Sequence, residues 1–529
     1  MDDRSDVQVD VLVAGCGPVG GVLAALLGAH GTRVTVVDPN HEPYPRPRAA
    51  ALDAEVMRIL GQVPGLADAE GWAVAVRQSR VLGPDRRPLF TVDVPDHAEA
   101  PPQPVLIDQP NLEAALRAGL TARSTVELRF GRSVLAVEQD HGGVEVLLDD
   151  GERIRANWVV GCDGASSTVR RLLGVVYEGV SFPQPWLVVD ASVDASVEGE
   201  RDQPPTMSFV LDPRRPQVAM SRPAARRWEW MLLPGEDPER MLDEATVREL
   251  IRPWVDPDTV RVRRAAVFTF HARAASRWRH GRILLAGDAA HSMPPFVGQG
   301  LGSGIRDAAS LAWRLAQVAR GLDGDELLDG YERERRPDVR ATTIMALRAG
   351  RVVQTRSRIG SALLRSVLRT IGAVPGAQAF VSRRAQRAQP ARRLPGGVTG
   401  PHPGAGRLLP DIRVRTANGQ VVRLDNLQGN HWAIIGYGDD PRTHLDAAAR
   451  EWAEAHRAVV LTIAVPGRET HVEPGCTLVE DLNGALPAPR RTAVTLVRPD
   501  RFLLGTLPAP VTAAALTRAG GGDPSNRYT

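Results

Sequence analysis

Lysine is absent from all 529 residues, so each of the 65 basic side chains is an arginine. GC-rich codon usage accounts for the bias, and it excludes any reaction that needs a catalytic lysine. Cysteine is scarce: Cys16, Cys162 and Cys476 are far apart and form no CxxC pair. Neither a disulfide framework nor a metal site is expected from such spacing. No apolar run approaches the roughly 20 residues that cross a bilayer, and the acidic start "MDDRSDVQVD" lacks the basic and apolar regions of a signal peptide. The expectation is a cytoplasmic protein without a membrane partner. A net charge of +3 over this length gives no footing for nucleic-acid binding.

What is present is enough chain for two or three domains, 43% hydrophobic and 24% charged, as in ordinary globular proteins. Residues 11–40 read "VLVAGCGPVGGVLAALLGAHGTRVTVVDPN". An apolar strand turns through Gly15, Gly17 and Gly20 into a helix expected from Pro18 to about Ala29, and a second strand closes on Asp38. Glycine permits the tight turn at Gly15, backbone approach to a pyrophosphate at Gly17 and close helix packing at Gly20. The helix N-terminus favours phosphate, and a carboxylate at Asp38 accepts from ribose hydroxyls. The stretch predicts a dinucleotide and does not by itself separate NAD from FAD.

Two more motifs follow in order. Residues 158–171, "WVVGCDGASSTVRR", place Asp163-Gly164 after a strand, and residues 282–307, "RILLAGDAAHSMPPFVGQGLGSGIRD", place Gly287-Asp288 after another. A proline and glycine loop comes next, and a helix is expected to begin near Ile305. Each motif alone is ordinary turn chemistry. Together, over about residues 8 to 390, they resemble the aromatic-ring hydroxylases among the class A flavoprotein monooxygenases.

The resemblance implies a Rossmann-like α/β domain binding FAD without a covalent link, with NAD(P)H as a transient reductant and O2 as co-substrate. It implies that Gly15, Gly17, Pro18, Gly20 and Asp38 hold the ADP half, and that Arg48 and Gln109 lie at the pyrophosphate and ribityl chain. Asp163 would lie near the pyrophosphate, and Gly287 and Asp288 at the ribityl hydroxyls. The segment holding Pro295, Gly298, Gly300, Leu301 and Gly302 would aim backbone N–H groups at the flavin. Gly302 departs from the pattern GQGxNxGxxD, which has asparagine there, so a side-chain bond is lost and a more flexible loop is expected.

Residues 70–105 and 180–270 alternate apolar and polar residues, predicting antiparallel strands of a second sheet, which the resemblance implies is inserted and walls the substrate pocket. Trp186, Trp228, Trp230 and Phe270 are candidates for an aromatic pocket, or equally for sheet core. The flavin domain is expected over 1–390, a Pro/Gly linker over 391–406, and a tail over 407–529. The tail resembles the thioredoxin-like C-terminal domain of phenol-type hydroxylases but lacks CxxC. Packing or homo-oligomer contacts, not redox chemistry, are the role expected of it.

The closest overall pattern is that of 3-(3-hydroxyphenyl)propionate hydroxylases, carried by "PRAAALDAEVMRIL", "RRWEWMLLPGE" and "VFTFHARAASRW". It implies ortho hydroxylation of a small phenolic substrate through a flavin C4a-hydroperoxide. Aromatic polyketide hydroxylases share the same features, and a flavin oxidase or dehydrogenase also remains open. Asp53, before "AEVMRIL", is the candidate base for the phenolic proton, on the expectation of a raised pKa, with a helix N-cap as the alternative.

Overall fold

The computed structural model describes residues 7–520, apart from 44–48, 67, 68, 70, 95–103, 194–204, 375, 377–393, 395–404, 466, 468, 469 and 487–492. Arg48 and most of the expected linker lie outside the described residues.

Strand β1 (Val7–Ala14) is the spine of an eight-stranded sheet. It runs parallel to β2 (Val34–Asp38) on one side and to Arg153–Gly161 on the other, in registers such as Val11↔Val34 and Leu12↔Val159. Helices cover such strands on both faces, so Val11, Leu12 and Val13 are fully buried and the run is apolar without alternation. Helix α1 (Pro18–Ala29) joins β1 to β2 with the predicted bounds, its proline in the first turn where no N–H is needed. Strand Ile283–Leu285 extends the sheet beside Arg153–Gly161. The three motifs thus lie at the C-terminal ends of neighbouring parallel strands, where ligands bind in open α/β sheets.

Both alternating segments join one seven-stranded sheet, ordered Val260–Phe268, Trp186–Val193, Ala225–Met231, Gln217–Arg222, Thr206–Val210, Gln78–Leu82, Pro88–Asp93. All its pairings are antiparallel except that of Thr206–Val210 with Gln78–Leu82. Helices α2 (Ala54–Leu60), α3 (Gln109–Thr121), α4 (Thr168–Leu172) and, after α5 (Glu244–Ile251), α6 (Gly300–Ala319) serve the site, while α5 packs on the second sheet. Two more follow, α7 (Asp329–Val353) and α8 (Arg358–Ala373).

Helix α6 corrects one expectation, since it starts at Gly300 and not near Ile305. The glycines that read as loop are its first turn. A Cβ on Gly304 would lie 2.6 Å from Val19 of α1, so packing, not propensity, selects glycine there.

In the tail, parallel strands Ala433–Tyr437 and Val459–Ile463 are joined by helix Ala447–Ala455. Antiparallel strands Ala493–Val497 and Leu503–Pro508 complete the order on the other side of Ala433–Tyr437. This arrangement is compatible with the thioredoxin-like expectation. No helix among the described residues is long and apolar enough to cross a membrane.

Candidate functional site

At the end of β1 the backbone turns through Gly15 at φ +103°, a left-handed value that favours glycine. A Cβ there would also lie 2.6 Å from the Cys162 carbonyl oxygen, and one on Gly20 would lie 2.0 Å from the Gly15 carbonyl oxygen. Gly17 is different, because a Cβ on it would meet nothing within 4 Å among the described residues. Its open side lies at the start of α1, which no described side chain caps. Space beside uncapped N–H groups is what a pyrophosphate requires.

Asp38 is buried at the end of β2. Its carboxylate accepts from the backbone N of Cys16 at 2.7 Å and of Asn40 at 2.8 Å, which fixes its orientation at the lip of the cradle. Asp163 accepts from Thr168 and Val169 N–H through Oδ2, at 2.7 and 3.0 Å, while its buried Oδ1 has no partner among the described residues. The Asp163 backbone lies against Gly15, and the orphaned oxygen can accept from a ligand hydroxyl or a bound water. The open Gly17, the uncapped helix and the Asp163 oxygen together fit a bound dinucleotide.

The second and third motifs are locked together by Arg170, which the motif reading placed only at a helix start, and by Tyr177, Asp307, His291 and Arg335, to which it gave no role. Arg170 donates to the carbonyls of Ala289 and Ala165 at 2.9 and 2.6 Å and stacks on Tyr177. Tyr177 donates to the Asp288 carbonyl at 3.0 Å. Asp307, fully buried in α6, accepts from Gly287 N–H at 3.1 Å, His291 Nε2 at 2.6 Å and Arg335 Nε at 2.8 Å. Burial alone would raise its carboxyl, but the charges of His291 and Arg335 outweigh this and hold it below the usual carboxylate range. Gln109 opens α3, accepts from Ala49 N–H at 2.9 Å and donates to Glu113 at 2.7 Å, so it anchors the backbone just after Arg48.

After the short turn Pro295–Val297 the chain passes Gly298 at φ +64° into the uncapped start of α6, which comprises Gly300, Leu301 and Gly302. Phe296 of that turn packs edge-on against Trp186, Phe270 and Phe182, with ring centroids 5.9, 5.8 and 5.7 Å apart. The aromatic cluster and the glycine segment are therefore one continuous structure. Trp186 Nε1 is buried there without a partner among the described residues.

Trp228 and Trp230 do not join this cluster. They stack on each other at 6.2 Å and pack with Val247 and Ile251 of α5, on the opposite face of the sheet. Side chains two residues apart share a face, and Met231, paired with Trp186, occupies the other one.

Asp53 differs from its expectation as well. It caps α2 by accepting from Val56 N–H at 3.0 Å, and its Oδ2 is ion-paired with buried Arg306. Burial would raise the carboxyl, but Arg306 and the surrounding donors hold it below its usual range, so the raised pKa is not found. In the tail, burial raises the Cys476 thiol, which lies 3.2 Å from Thr462 Oγ1.

Comparison with known proteins agrees with this geometry. The FAD binding domain family matches residues 8–346, and the HcaD C-terminal domain family matches residues 406–519. A 3-(3-hydroxy-phenyl)propionate/3-hydroxycinnamic acid hydroxylase of Paraburkholderia xenovorans is 35% identical, over 94% of this chain and 89% of its own. The enzyme of that name from Mycolicibacterium smegmatis is 36% identical, over 95% of this chain and 91% of its own. Among solved structures, an anhydrotetracycline hydroxylase of Streptomyces rimosus aligns with a TM-score of 0.72 at 27% identity, over 97% of this chain and 98% of that one. Aklavinone-11 hydroxylase with FAD and aklavinone shares the fold, with a TM-score of 0.74 at 24% identity, over 98% of each chain.

Proposed function

The chain belongs to the FAD-dependent aromatic hydroxylases, and from that premise we propose that it hydroxylates a phenol bearing a short acid side chain, of the 3-(3-hydroxyphenyl)propionate kind. The observation that carries the substrate class is the likeness to hydroxylases of that name at 35–36% identity over nearly the whole chain. A fused-ring phenol is the second reading, favoured by the 27% likeness to the anhydrotetracycline hydroxylase.

FAD, when bound, supplies the chemistry: with NAD(P)H and O2, one oxygen atom is placed on the ring and the other leaves as water. In this reading the Gly15–Gly20 turn, Asp38 and the start of α1 hold the ADP half. Gly287, Asp288 and the first turn of α6 would face the ribityl chain and flavin ring. Arg48 and Gln109 would complete the polar contacts, with Asp163 giving its unpartnered oxygen to a ligand hydroxyl or water.

Phe296, Trp186 and Phe270 would wall the aromatic ring, and their apolar surface would exclude water from the reacting oxygen. Trp186 Nε1, buried without a partner among the described residues, would donate to an oxygen of the substrate. Asp53 remains the candidate acceptor for the phenolic proton, working as an ionised carboxylate held by Arg306. The tail would serve packing and oligomer contacts without a redox role.

The test is turnover of 3-(3-hydroxyphenyl)propionate under labelled O2. The expected result is accelerated NAD(P)H oxidation with one labelled oxygen in a dihydroxylated product. Accelerated oxidation without labelled product would indicate an oxidase or dehydrogenase. Inertness towards this acid, with labelled turnover of a fused-ring phenol, would establish the second reading.

A further inference from the structure

Gly302 departs from its motif, yet the space beside it is filled. A Cβ built there would lie 3.0 Å from Arg306 Nη1, 3.2 Å from Val56 Cγ2 and 3.5 Å from Gln299 Oε1. The guanidinium in that space comes from one turn further along the same helix. Its Nη1 donates to Gln299 Oε1 at 3.0 Å, its Nη2 pairs with Asp53, and its Nε lies 3.0 Å from Glu55 Oε2.

These partners belong to two elements. Gln299 is the residue from which α6 starts, whereas Asp53 and Glu55 open α2. The side chain of Arg306 is only 5% exposed, so its hydrogen bonds to Gln299 and Asp53 and its ion pair with Glu55 form in a setting little screened by water. A planar fork with five donors can bridge three acceptors at once, as a single asparagine amide cannot. A side chain at position 302 would crowd the fork and Val56, forcing the guanidinium to shift against Gln299.

We propose that Arg306 is the positioning residue of the flavin segment in this chain: its guanidinium takes the place of a side chain at 302 and bolts the first turn of α6 to the start of α2. The glycine is then the condition for the arginine, not a weakness of the loop. The segment is rigid for this reason, contrary to the flexibility expected from the sequence. The proposal rests on reading this segment as part of the flavin cradle.

A double-mutant cycle tests it, with the FAD dissociation constant of the apoprotein and its thermal unfolding as readouts. Arg306→Gln should lower the unfolding temperature, because it leaves buried charges unpaired, and should weaken FAD binding about tenfold as the first turn of α6 loses its anchor. Gly302→Asn should weaken it by a similar factor, because the new amide displaces the guanidinium. The pair Gly302→Asn with Arg306→Gln should bind FAD more tightly than either single variant, since the amide then fills the vacated space. Additive losses, or wild-type binding by Arg306→Gln, would overturn the proposal.

Gly302→Ala is the milder probe should Arg306→Gln fail to fold. It should weaken FAD binding about threefold, in line with a displaced but flexible contact, and unchanged binding would count against the clamp. Gly300→Leu separates the clamp from the cradle, because position 300 does not touch Arg306. Intact FAD binding in that variant would overturn the cradle reading and this proposal together. Lost binding there, with Arg306→Gln unaffected, would keep the cradle and discard the clamp.

Discussion

At the scale of the residue, Asp53 is where capping, charge and chemistry meet. Its two oxygens are committed, one to the α2 backbone and one to Arg306. A carboxylate held below its ordinary range is a weak proton acceptor, so a catalytic share and a structural share must be measured apart. Asp53→Asn keeps most of the cap and removes the charge. If Asp53 only takes a proton, FAD affinity and thermal stability should be unchanged, while hydroxylation falls and recovers at high pH as the phenol ionises unaided. The ion pair with Arg306 predicts more. Removing one charge of a buried pair costs on the order of 3 kcal/mol, so unfolding should shift to lower temperature and FAD should bind less tightly at neutral pH. Flavin fluorescence and thermal melts distinguish the outcomes before any turnover is measured. The sign with pH follows from the lowered pKa: the stabilisation is complete above the unfolded carboxylate range. It is lost as pH falls through the lower folded value.

At the scale of the element, the nucleotide cradle depends on how closely α1 and α6 approach. Gly304→Ala places a methyl 2.6 Å from Val19, and also 3.2 Å from the Gly287 backbone. The helices must separate, which should cost about 1–3 kcal/mol in urea unfolding and weaken FAD, because Gly287 moves with them. Wild-type stability in that variant would mean that Val19 yields without moving α1. The same contact explains what the sequence could and could not reveal. Strand β1, helix α1 and the acid closing β2 were legible because periodicity and turn chemistry are local. The start of α6 was not, since four glycines among residues 298–304 oppose helix propensity and only packing on α1 overrides it. The split of the tryptophans between two faces was missed for a related reason. Alternation puts Trp228 and Trp230 on one face, but nothing local says which face meets the flavin domain. Arg306 was hidden too, because two of its three partners, Asp53 and Glu55, lie about 250 residues away in the chain.

At the scale of the whole molecule, the tail is fastened to the flavin domain by buried charge. Glu334 of α7 accepts from Arg314 of α6 at 2.8 Å and from Arg498 of the tail at 2.8 and 2.9 Å. Arg58 of α2 pairs with Asp425 of the tail at 2.7 and 2.8 Å, and Trp313 meets Trp432 edge-on at 5.6 Å. Between these contacts lies a cavity of about 50 Å³, lined by Glu55, Arg306 and Glu334 on one side and Asp500 and Phe502 on the other. The charged groups in its lining and its size suit a few bound waters. The tail thus closes the outer side of the layer in which Arg306 works. Glu334 is the joint to cut, because its loss leaves Arg314 and Arg498 buried without their shared anion. Glu334→Gln should lower the unfolding temperature by about 5–10 °C and make the tail cleavable at low protease. Burial would raise the Glu334 carboxyl, yet the two arginines hold it at about 2, below its ordinary 4.5. Its contribution is therefore complete above pH 4.5 and is lost as pH falls towards 2. The gap in unfolding temperature between wild type and Glu334→Gln should stay constant from about pH 8 to 5 and narrow below that. A gap that widened on acidification, or a variant as stable and protease-resistant as wild type, would mean that the tail is held mainly by its tryptophan contacts and the Arg58–Asp425 pair.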